Sequence, residues 1–342
     1  MKFQTMALAV LMTFPAGTDA EEPADGGAID LHAHIVTEEY AALTARHGAT
    51  CEEGFPLPQW TAEGHLQFMD EAGIGCAVLS MPAPQPFYGD VQECARCVRS
   101  VNEESARLKE AFPGRFRFCA ALPLPDVKAA LREAVYALDT LGADGVKLAS
   151  NSRGLYLGDP RLDTLMAVLN ERNAVVIIHP HVPTPPSLPQ LTSATPVPVY
   201  EYPAETTRAV TNMLARNVLT RFPRLKVVVP HCGSFLPLSI PRMKALVPAL
   251  VQGGFMQQPV DWEGNLARLY YDLAGCPTKE VIGALLTITT PDHILYGSDY
   301  PYLPPEVLKA NLQRLRSLLA SDAELAQYAD LFLRENALRL FE

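Results

Sequence analysis

A (β/α)₈ barrel, an α/β fold, is the architecture that the amino-acid sequence predicts. Short apolar runs rich in β-branched residues occur eight times, and each is followed by a stretch of helical periodicity. The length of 342 residues suits a single barrel of this kind. The first run ends in His32-Ala33-His34, where an open doubly wound sheet would carry a glycine-rich phosphate turn. These observations favour a closed parallel barrel over an open sheet.

The predicted strands are short and apolar, as in a parallel sheet that is buried on both faces. In chain order they are Ala28–Ile35, Cys76–Met81, Phe116–Leu122, Gly145–Ser150, Val175–Pro180, Lys226–Cys232, Leu269–Ala274 and His293–Ser298. The segments between the strands have the apolar spacing of amphipathic helices. The predicted helices are Glu63–Ala72, Val91–Phe112, Val127–Leu141, Arg161–Arg172, Ala204–Phe222, Leu238–Val251, Lys279–Thr287, Pro305–Leu319 and Asp322–Leu340. Successive right-handed crossovers between such strands can close the sheet into a barrel.

The first 27 residues differ in character from the rest of the chain. Lys2, the apolar stretch Met6–Phe14 and the small residues that follow it are typical of a short signal peptide. We therefore expect residues 1–27 to be a signal peptide and linker, and residues 28–342 to form one barrel domain. Export to the periplasm or the medium follows from that interpretation. A cytoplasmic protein with a disordered leader is the alternative, and the odd number of seven cysteines is in its favour.

Charge and hydropathy exclude two classes of partner. The net charge is −10 and no run of Lys and Arg occurs, so we expect no nucleic-acid partner. No apolar run reaches the roughly 18–20 residues that a membrane span requires. A small-molecule ligand is the partner that these properties favour.

Ligand-type side chains stand at the carboxyl ends of four predicted strands. His32 and His34 are two residues apart, so they project on one side of the first strand, about 6–7 Å apart along the backbone. His179 ends the fifth strand, His231 lies at the end of the sixth, and Asp299 follows the eighth. These ends form the catalytic face of a barrel. Imidazole and carboxylate are ordinary ligands for Zn²⁺, so the sequence predicts a divalent metal ion at this face.

Five candidate groups are more than a catalytic metal site with an open coordination position needs. We therefore expect one of them to be an acid/base group, and we assign that role to His231, which Cys232-Gly233-Ser234 follow. An imidazole close to a metal-bound water can accept its proton and later deliver a proton to carbon.

Two long connections leave the same face of the predicted barrel. One is Val36–Trp60 and the other is the proline-rich segment His181–Pro203. Long loops without secondary structure in a compact domain are usually functional, so we expect both to wall the pocket.

Four further residues have a structural interpretation beside a functional one. Lys147 lies in the middle of the fourth strand, where we expect burial, although a lysine at the end of that strand could bridge two metal ions. His181 could reach the pocket but is expected to lie in a loop. His293 is expected to be structural, and His65 is expected on a helix or at the surface.

Several motifs together resemble the amidohydrolase-2 family, in the branch around aminocarboxymuconate-semialdehyde decarboxylase and the 6-methylsalicylate and hydroxybenzoate decarboxylases. The motifs are IDLHAHIV, HPH, RFPRLKVVVPHCG and ILYGSDYP, and the resemblance extends from about Ala28 to Glu342. It implies a metal-dependent hydrolase type of barrel with one divalent ion. Zn²⁺ is favoured by the His-x-His form, and Mn²⁺ is the alternative. The ligands that it implies are His32, His34, His179 and Asp299.

The resemblance also implies a reaction. His231, with Asp299, would transfer protons in the non-oxidative decarboxylation of a small aromatic or muconate-type carboxylic acid. Family members are commonly homodimers, and the same is expected here. The alternative is a metal-dependent hydrolase or hydratase that acts on a small lactone, amide or unsaturated acid, because the same five residues would serve that chemistry.

Overall fold

Eight parallel strands form the centre of the protein in a computed structural model, which describes residues 27–51, 54–183, 195–275 and 277–342. Neighbouring strands in the sheet follow each other in chain order. They are β1 Ala28–His34, β2 Ile74–Ser80, β3 Phe116–Ala121, β4 Gly145–Ala149, β5 Val175–His179, β6 Lys226–Val229, β7 Leu269–Asp272 and β8 Ile294–Leu295. A two-stranded hairpin of Asn151–Ser152 and Leu155–Tyr156 follows β4.

The sheet closes where the chain after Ile294–Leu295 returns to β1. The backbone N–H of Leu31 donates to the carbonyl of Tyr296 at 2.9 Å, and that of His34 donates to the carbonyl of Tyr300 at 2.8 Å. A parallel bridge between Ala33 and Tyr300 completes the contact. The predicted (β/α)₈ barrel is therefore confirmed.

An extra residue interrupts the pairing of β1 with β2. Asp30 pairs with Ala77 and Ala33 pairs with Leu79, so three steps along β1 match two steps along β2. A bulge of this kind re-aims side chains at the rim of a barrel. Here it lies next to His32, at the end of the strand that carries two predicted ligands.

Twelve α-helices lie in the described residues, most of them between the strands. They are α1 Glu38–Arg46, α2 Ala62–Ala72, α3 Val91–Ala111, α4 Val127–Asp139, α5 Asp163–Glu171, α6 Val197–Ala215, α7 Val218–Arg221, α8 Leu236–Gln252, α9 Trp262–Leu266, α10 Lys279–Leu285, α11 Pro305–Ser321 and α12 Asn336–Leu340. The helix predicted over Asp322–Leu340 is instead divided into a 3₁₀ turn, a π-helical turn at Leu331–Glu335 and α12.

Two of these helices occupy segments that were expected to be loops. Helix α1 begins behind Thr37, whose hydroxyl oxygen accepts from the N–H of Tyr40, and it buries Tyr40 and Leu43. Helix α6 starts at Val197 and contains Pro203, which was expected to lie in the long proline-rich connection. Proline usually disfavours a helix interior.

Apolar side chains fill the barrel away from its carboxyl-end face. Ile29, Leu31, Val78 and Val228 belong to this interior cluster, and so does Leu340 of α12. A larger cluster lies between the strands and the surrounding helices. The polar groups of the site therefore lie above an apolar floor.

The expected signal peptide and linker fall on residues 1–27, of which residues 1–26 lie outside the described residues. Within the described part of the chain, no helix is both long enough and apolar enough to span a bilayer.

Candidate metal centre

Four side chains at the carboxyl ends of β1, β5 and β8 converge on one point. They are His32, His34, His179 and Asp299, and one potential ligand atom from each lies within 4.8 Å of the others. The Nε2 atoms of His32 and His34 lie 3.4 and 3.1 Å from Asp299 Oδ1. One ion can lie between such atoms, and this is the set of residues that the sequence interpretation named as ligands.

The three imidazoles are oriented through their other ring nitrogen. His32 Nδ1 lies 2.9 Å from Asp272 Oδ2, His34 Nδ1 lies 3.3 Å from the carbonyl of Ser80, and His179 Nδ1 lies 2.9 Å from the carbonyl of Pro180. Each of these partners can only accept, so Nδ1 carries the proton in all three rings. Once Nε2 is deprotonated, its lone pair can bind a cation.

The electrostatics of the site, like its geometry, favour the binding of a cation. Burial by itself disfavours the charged form of His32, but the carboxylates of Asp272 and Asp299 outweigh that effect and raise its pKa to about 9. Burial lowers the pKa of His34 to about 4 and holds the pKa of His179 well below its usual value. His34 and His179 are therefore neutral, as metal ligands must be.

The residues present fit a divalent ion. His32 Nε2 is buried and has no hydrogen-bond partner among the described residues, although it faces a carboxylate. A polar atom in that position is costly unless it binds something. Three neutral imidazoles and one carboxylate are a ligand set that a first-row divalent metal accepts.

Asp272, at the end of β7, is the residue of the site that the sequence interpretation missed. Its Oδ2 accepts from His32 Nδ1, and its Oδ1 accepts from the backbone N–H groups of His231 and Ala274, each at 3.0 Å. It is fully buried. His179 and Asp299 were selected because they are ligand-type side chains at strand ends. The same criterion would also have identified Asp272.

His231 lies beside the ligand set on an unusual turn. Its Nε2 is 3.7 Å from Asp299 Oδ2, and its ring centroid is 5.0 Å from that of His32. The φ angles of His231, Cys232, Gly233 and Ser234 are 57°, 54°, 74° and 56°, so four successive residues are left-handed. Such a run is sterically unfavourable for residues other than glycine. Hydrogen bonds from the N–H groups of His231 and Cys232 to Asp272 hold it in place.

The other residues considered from the sequence lie outside this ligand set. Lys147 is buried in β4 and donates to the carbonyl of Pro82 at 3.5 Å. His293 lies at the amino end of β8 with its Nδ1 2.9 Å from the carbonyl of Leu269, which is a structural position as expected.

Two histidines are more buried than the sequence suggested. His181 is buried, and its backbone N–H donates to the hydroxyl of Ser150 at 3.0 Å. His65 lies on helix α2 as expected, but it is completely buried and accepts from Trp60 Nε1 at 3.2 Å.

A cavity of about 460 Å³ opens onto the site, and His179, His231 and Asp299 line it. Both connections that were expected to wall the pocket contribute to it. Phe55 and Leu57 come from the first, and further residues come from the second at the start of α6. The remainder of the second connection, residues 184–194, lies outside the described residues.

Comparisons with known proteins agree with this architecture. The amidohydrolase family profile matches residues 29–342. A 6-methylsalicylic acid decarboxylase from Penicillium expansum is 33% identical over 286 residues, which cover 82% of this chain and 86% of that protein. A solved amidohydrolase II structure has a TM-score of 0.83 at 31% identity and covers 92% of this chain and 99% of its own.

A manganese-bound dihydroxybenzoic acid decarboxylase from Polaromonas sp. has a TM-score of 0.75 at 20% identity, and the match covers 92% of this chain and 96% of that one. That likeness shows the shared fold. The resemblance inferred from the motifs is confirmed by the family profile, which spans nearly the whole described barrel. The chain belongs to the amidohydrolase family.

Proposed function

We propose that this protein is a metal-dependent, non-oxidative decarboxylase of a small aromatic or muconate-type carboxylic acid. The observation that carries the proposal is the convergence of His32, His34, His179 and Asp299 within 4.8 Å, with a further histidine beside them in a pocket. The relatives support the reaction type, because the Penicillium expansum protein is a decarboxylase of an aromatic acid.

His32, His34, His179 and Asp299 would hold the ion. When bound, the ion supplies positive charge that binds the substrate oxygens and stabilises the negative charge that develops on them. Zn²⁺ is the metal that we propose, since three imidazoles and a carboxylate suit it. Mn²⁺ is the alternative, and it is the ion bound in the Polaromonas protein.

His231 would act as the acid/base residue. Its Nε2 and the Asp299 carboxylate both line the pocket, 3.7 Å apart, so a proton can pass between them and the substrate. Transfer of this proton to the ring carbon that bears the carboxylate interrupts the conjugation of the ring. The electron pair of the bond to the carboxylate then returns to the ring, and CO₂ leaves.

The test is a substrate panel with CO₂ release as the readout. Metal-loaded protein is incubated with hydroxybenzoates and muconate semialdehydes, and in parallel with lactones and amides. Release of CO₂ from at least one acid is the expected result. Turnover of lactones or amides without CO₂ release would instead support the hydrolase or hydratase alternative.

We also propose a homodimer. Helix α8 carries apolar side chains that face solvent in the single chain, among them Leu238, which is 80% exposed, and Phe255 beyond its end, which is 82% exposed. Leu246 and Leu250, which lie between them on the helix, are 44% and 39% exposed. A row of exposed apolar groups along one helix is typical of an interface between subunits. Light scattering of the purified protein should give twice the mass of one chain, and Leu238→Asp should shift it towards the monomer.

Export is a further proposal, and it rests on the leader sequence alone. Mass spectrometry of the mature protein from its native host should show that residues before the barrel have been removed. An intact leader on a protein recovered from the cytoplasm would contradict it.

A further inference from the structure

The walls of the pocket are apolar, and this limits the charge of the substrate. Phe55, Leu57, Val199 and Leu303 line the cavity together with alanine and proline side chains. Val199 is 60% exposed and Leu303 is 38% exposed, so the mouth as well as the interior is apolar. Among the described residues that line the cavity none is Lys or Arg, and the one carboxylate there is Asp299.

The rest of the chain offers few cations to the pocket. By sequence, residues 184–194 contain no ionisable side chain, residues 52–53 are both Glu, and Lys2 is the single basic residue of the segment 1–26. Three cations that might be recruited have other contacts. Lys147 donates to the carbonyl of Pro82, Arg153 donates to the carbonyl of Phe87, and Arg46 pairs with Glu93.

The size of the cavity also limits which substrates can bind. About 460 Å³ lies in the range of pockets for drug-sized ligands, which runs from about 300 to 1,000 Å³. A single-ring acid therefore leaves room beside it. Most residues around that room are apolar and none of them is Lys or Arg, so an ionised carboxylate placed there would lose hydration without gaining a Lys or Arg partner.

We infer that the pocket selects an aryl acid with a single carboxylate and an apolar substituent, and discriminates against acids with a second carboxylate. This inference rests on the proposed function and narrows its substrate class. A metal ion held by the four ligands would bind one carboxylate, and the described walls contain no Lys or Arg to pair with another. A neutral hydroxyl is compatible with the pocket, because Thr50 and Asn311 also line it and can hydrogen-bond to such a group.

The experiment compares two ligands that differ in charge but not in shape. A nitro group and a carboxylate are both planar and of similar size, so 2-hydroxybenzoates that carry one or the other at the same ring position form a matched pair. Their dissociation constants are measured by calorimetry with metal-loaded His231→Asn protein, in which turnover is blocked. The nitro acid is expected to bind at least about tenfold more tightly.

Variants at the mouth test the cause of the selectivity. Leu303→Arg should bring the two dissociation constants to within about threefold, because the guanidinium pairs with the second carboxylate. Leu303→Gln is the matched neutral control and should leave the difference unchanged. Val199→Arg, on α6, repeats the test at a second position of the mouth in case Leu303→Arg does not fold.

The inference would be overturned if protein with an unaltered mouth bound the dicarboxylic acid as tightly as the nitro acid, or more tightly. It would also be overturned if the arginine variants folded but left the ratio of the two dissociation constants unchanged. Failure of the proposed function is separate from these outcomes. If the wild-type protein releases CO₂ from none of the acids, the function is wrong, while the binding preference can still hold. If it releases CO₂ from both members of the pair with equal kcat/KM, the function stands and the inference fails.

Discussion

The imidazole of His32 donates from Nδ1 to Oδ2 of Asp272 at 2.9 Å, and the other oxygen of the same carboxylate accepts the backbone N–H of His231 at 3.0 Å. One buried carboxylate therefore orients both a proposed metal ligand and the proposed acid/base residue. Asp272 therefore fixes the ring of His32 and the backbone of His231.

Replacement of Asp272 should weaken metal binding without removing any ligand. In Asp272→Asn the amide can donate to His32 Nδ1, which places the ring proton on Nε2 and blocks the lone pair that faces the site. The dissociation constant for Zn²⁺ should rise by about 10–100-fold, as measured by competition with a chromogenic chelator. Asp292→Asn, a change at an exposed carboxylate, is the control. An unaltered dissociation constant would show that Asp272 does not orient His32.

Removal of a ligand should have a larger effect on metal content. His179→Ala and Asp299→Ala each delete one of four converging groups, so the purified variants should contain almost no metal, against about one ion per chain in the wild type. Elemental analysis after dialysis gives the ratio. His47→Ala, away from the site, should keep its ion. Stoichiometric metal in either ligand variant would refute the assignment.

His231 should matter for turnover and not for metal content. His231→Ala should retain the ion, because the four ligands remain, while kcat falls by about 10²–10⁴-fold through loss of the proton donor. Steady-state CO₂ release and metal analysis on the same preparation separate the two effects. Full activity in this variant would remove His231 from the mechanism.

The stability of the fold should depend on pH through His65. Burial lowers the pKa of His65 to about 3, whereas the unfolded chain has a value near 6.5. Between these values the unfolded chain binds a proton that the folded protein does not, so the stability is fully present above pH 6.5 and decreases as the pH falls. The loss from this residue between pH 6.5 and 5 is about 2 kcal/mol.

Urea denaturation of the metal-free protein at two pH values measures this loss. The comparison is with His65→Gln, whose neutral side chain cannot take up a proton, so its free energy of unfolding should change less over the same interval. Equal pH dependence in the two proteins would show that His65 does not contribute.

The barrel and the positions of the ligands could be predicted because both follow from local rules. Parallel strands bring their carboxyl ends to one face, so His179 and Asp299 were expected to approach each other although 120 residues separate them in the sequence. The short helix α1 was missed although Thr37 is a good N-cap residue and Glu38 and Glu39 follow it in the first turn. The helical start of α6 was missed because tertiary packing tolerates Pro203 there.

The left-handed turn after β6 could not be predicted for a different reason. Gly233 readily adopts positive φ, but nothing in the local sequence favours it at His231, Cys232 and Ser234. The conformation depends on acceptors supplied by Asp272, some 40 residues later. The burial of His65 also depends on partners that are remote in sequence, such as Tyr300 at a ring-centroid distance of 4.4 Å.

The rigidity of the same turn means that the substrate, and not the backbone of His231, has to adjust its position in the proposed reaction. A catalytic side chain on a flexible loop can follow its substrate, but the backbone of His231 is held by contacts on both sides, and Gly233 has Tyr271 and Leu285 close to where a Cβ would lie. The backbone of the proposed proton donor is thus fixed in position. Each acid that reacts must be presented to it in the correct orientation by the surrounding walls, so altering those walls is the practical route to a changed substrate range.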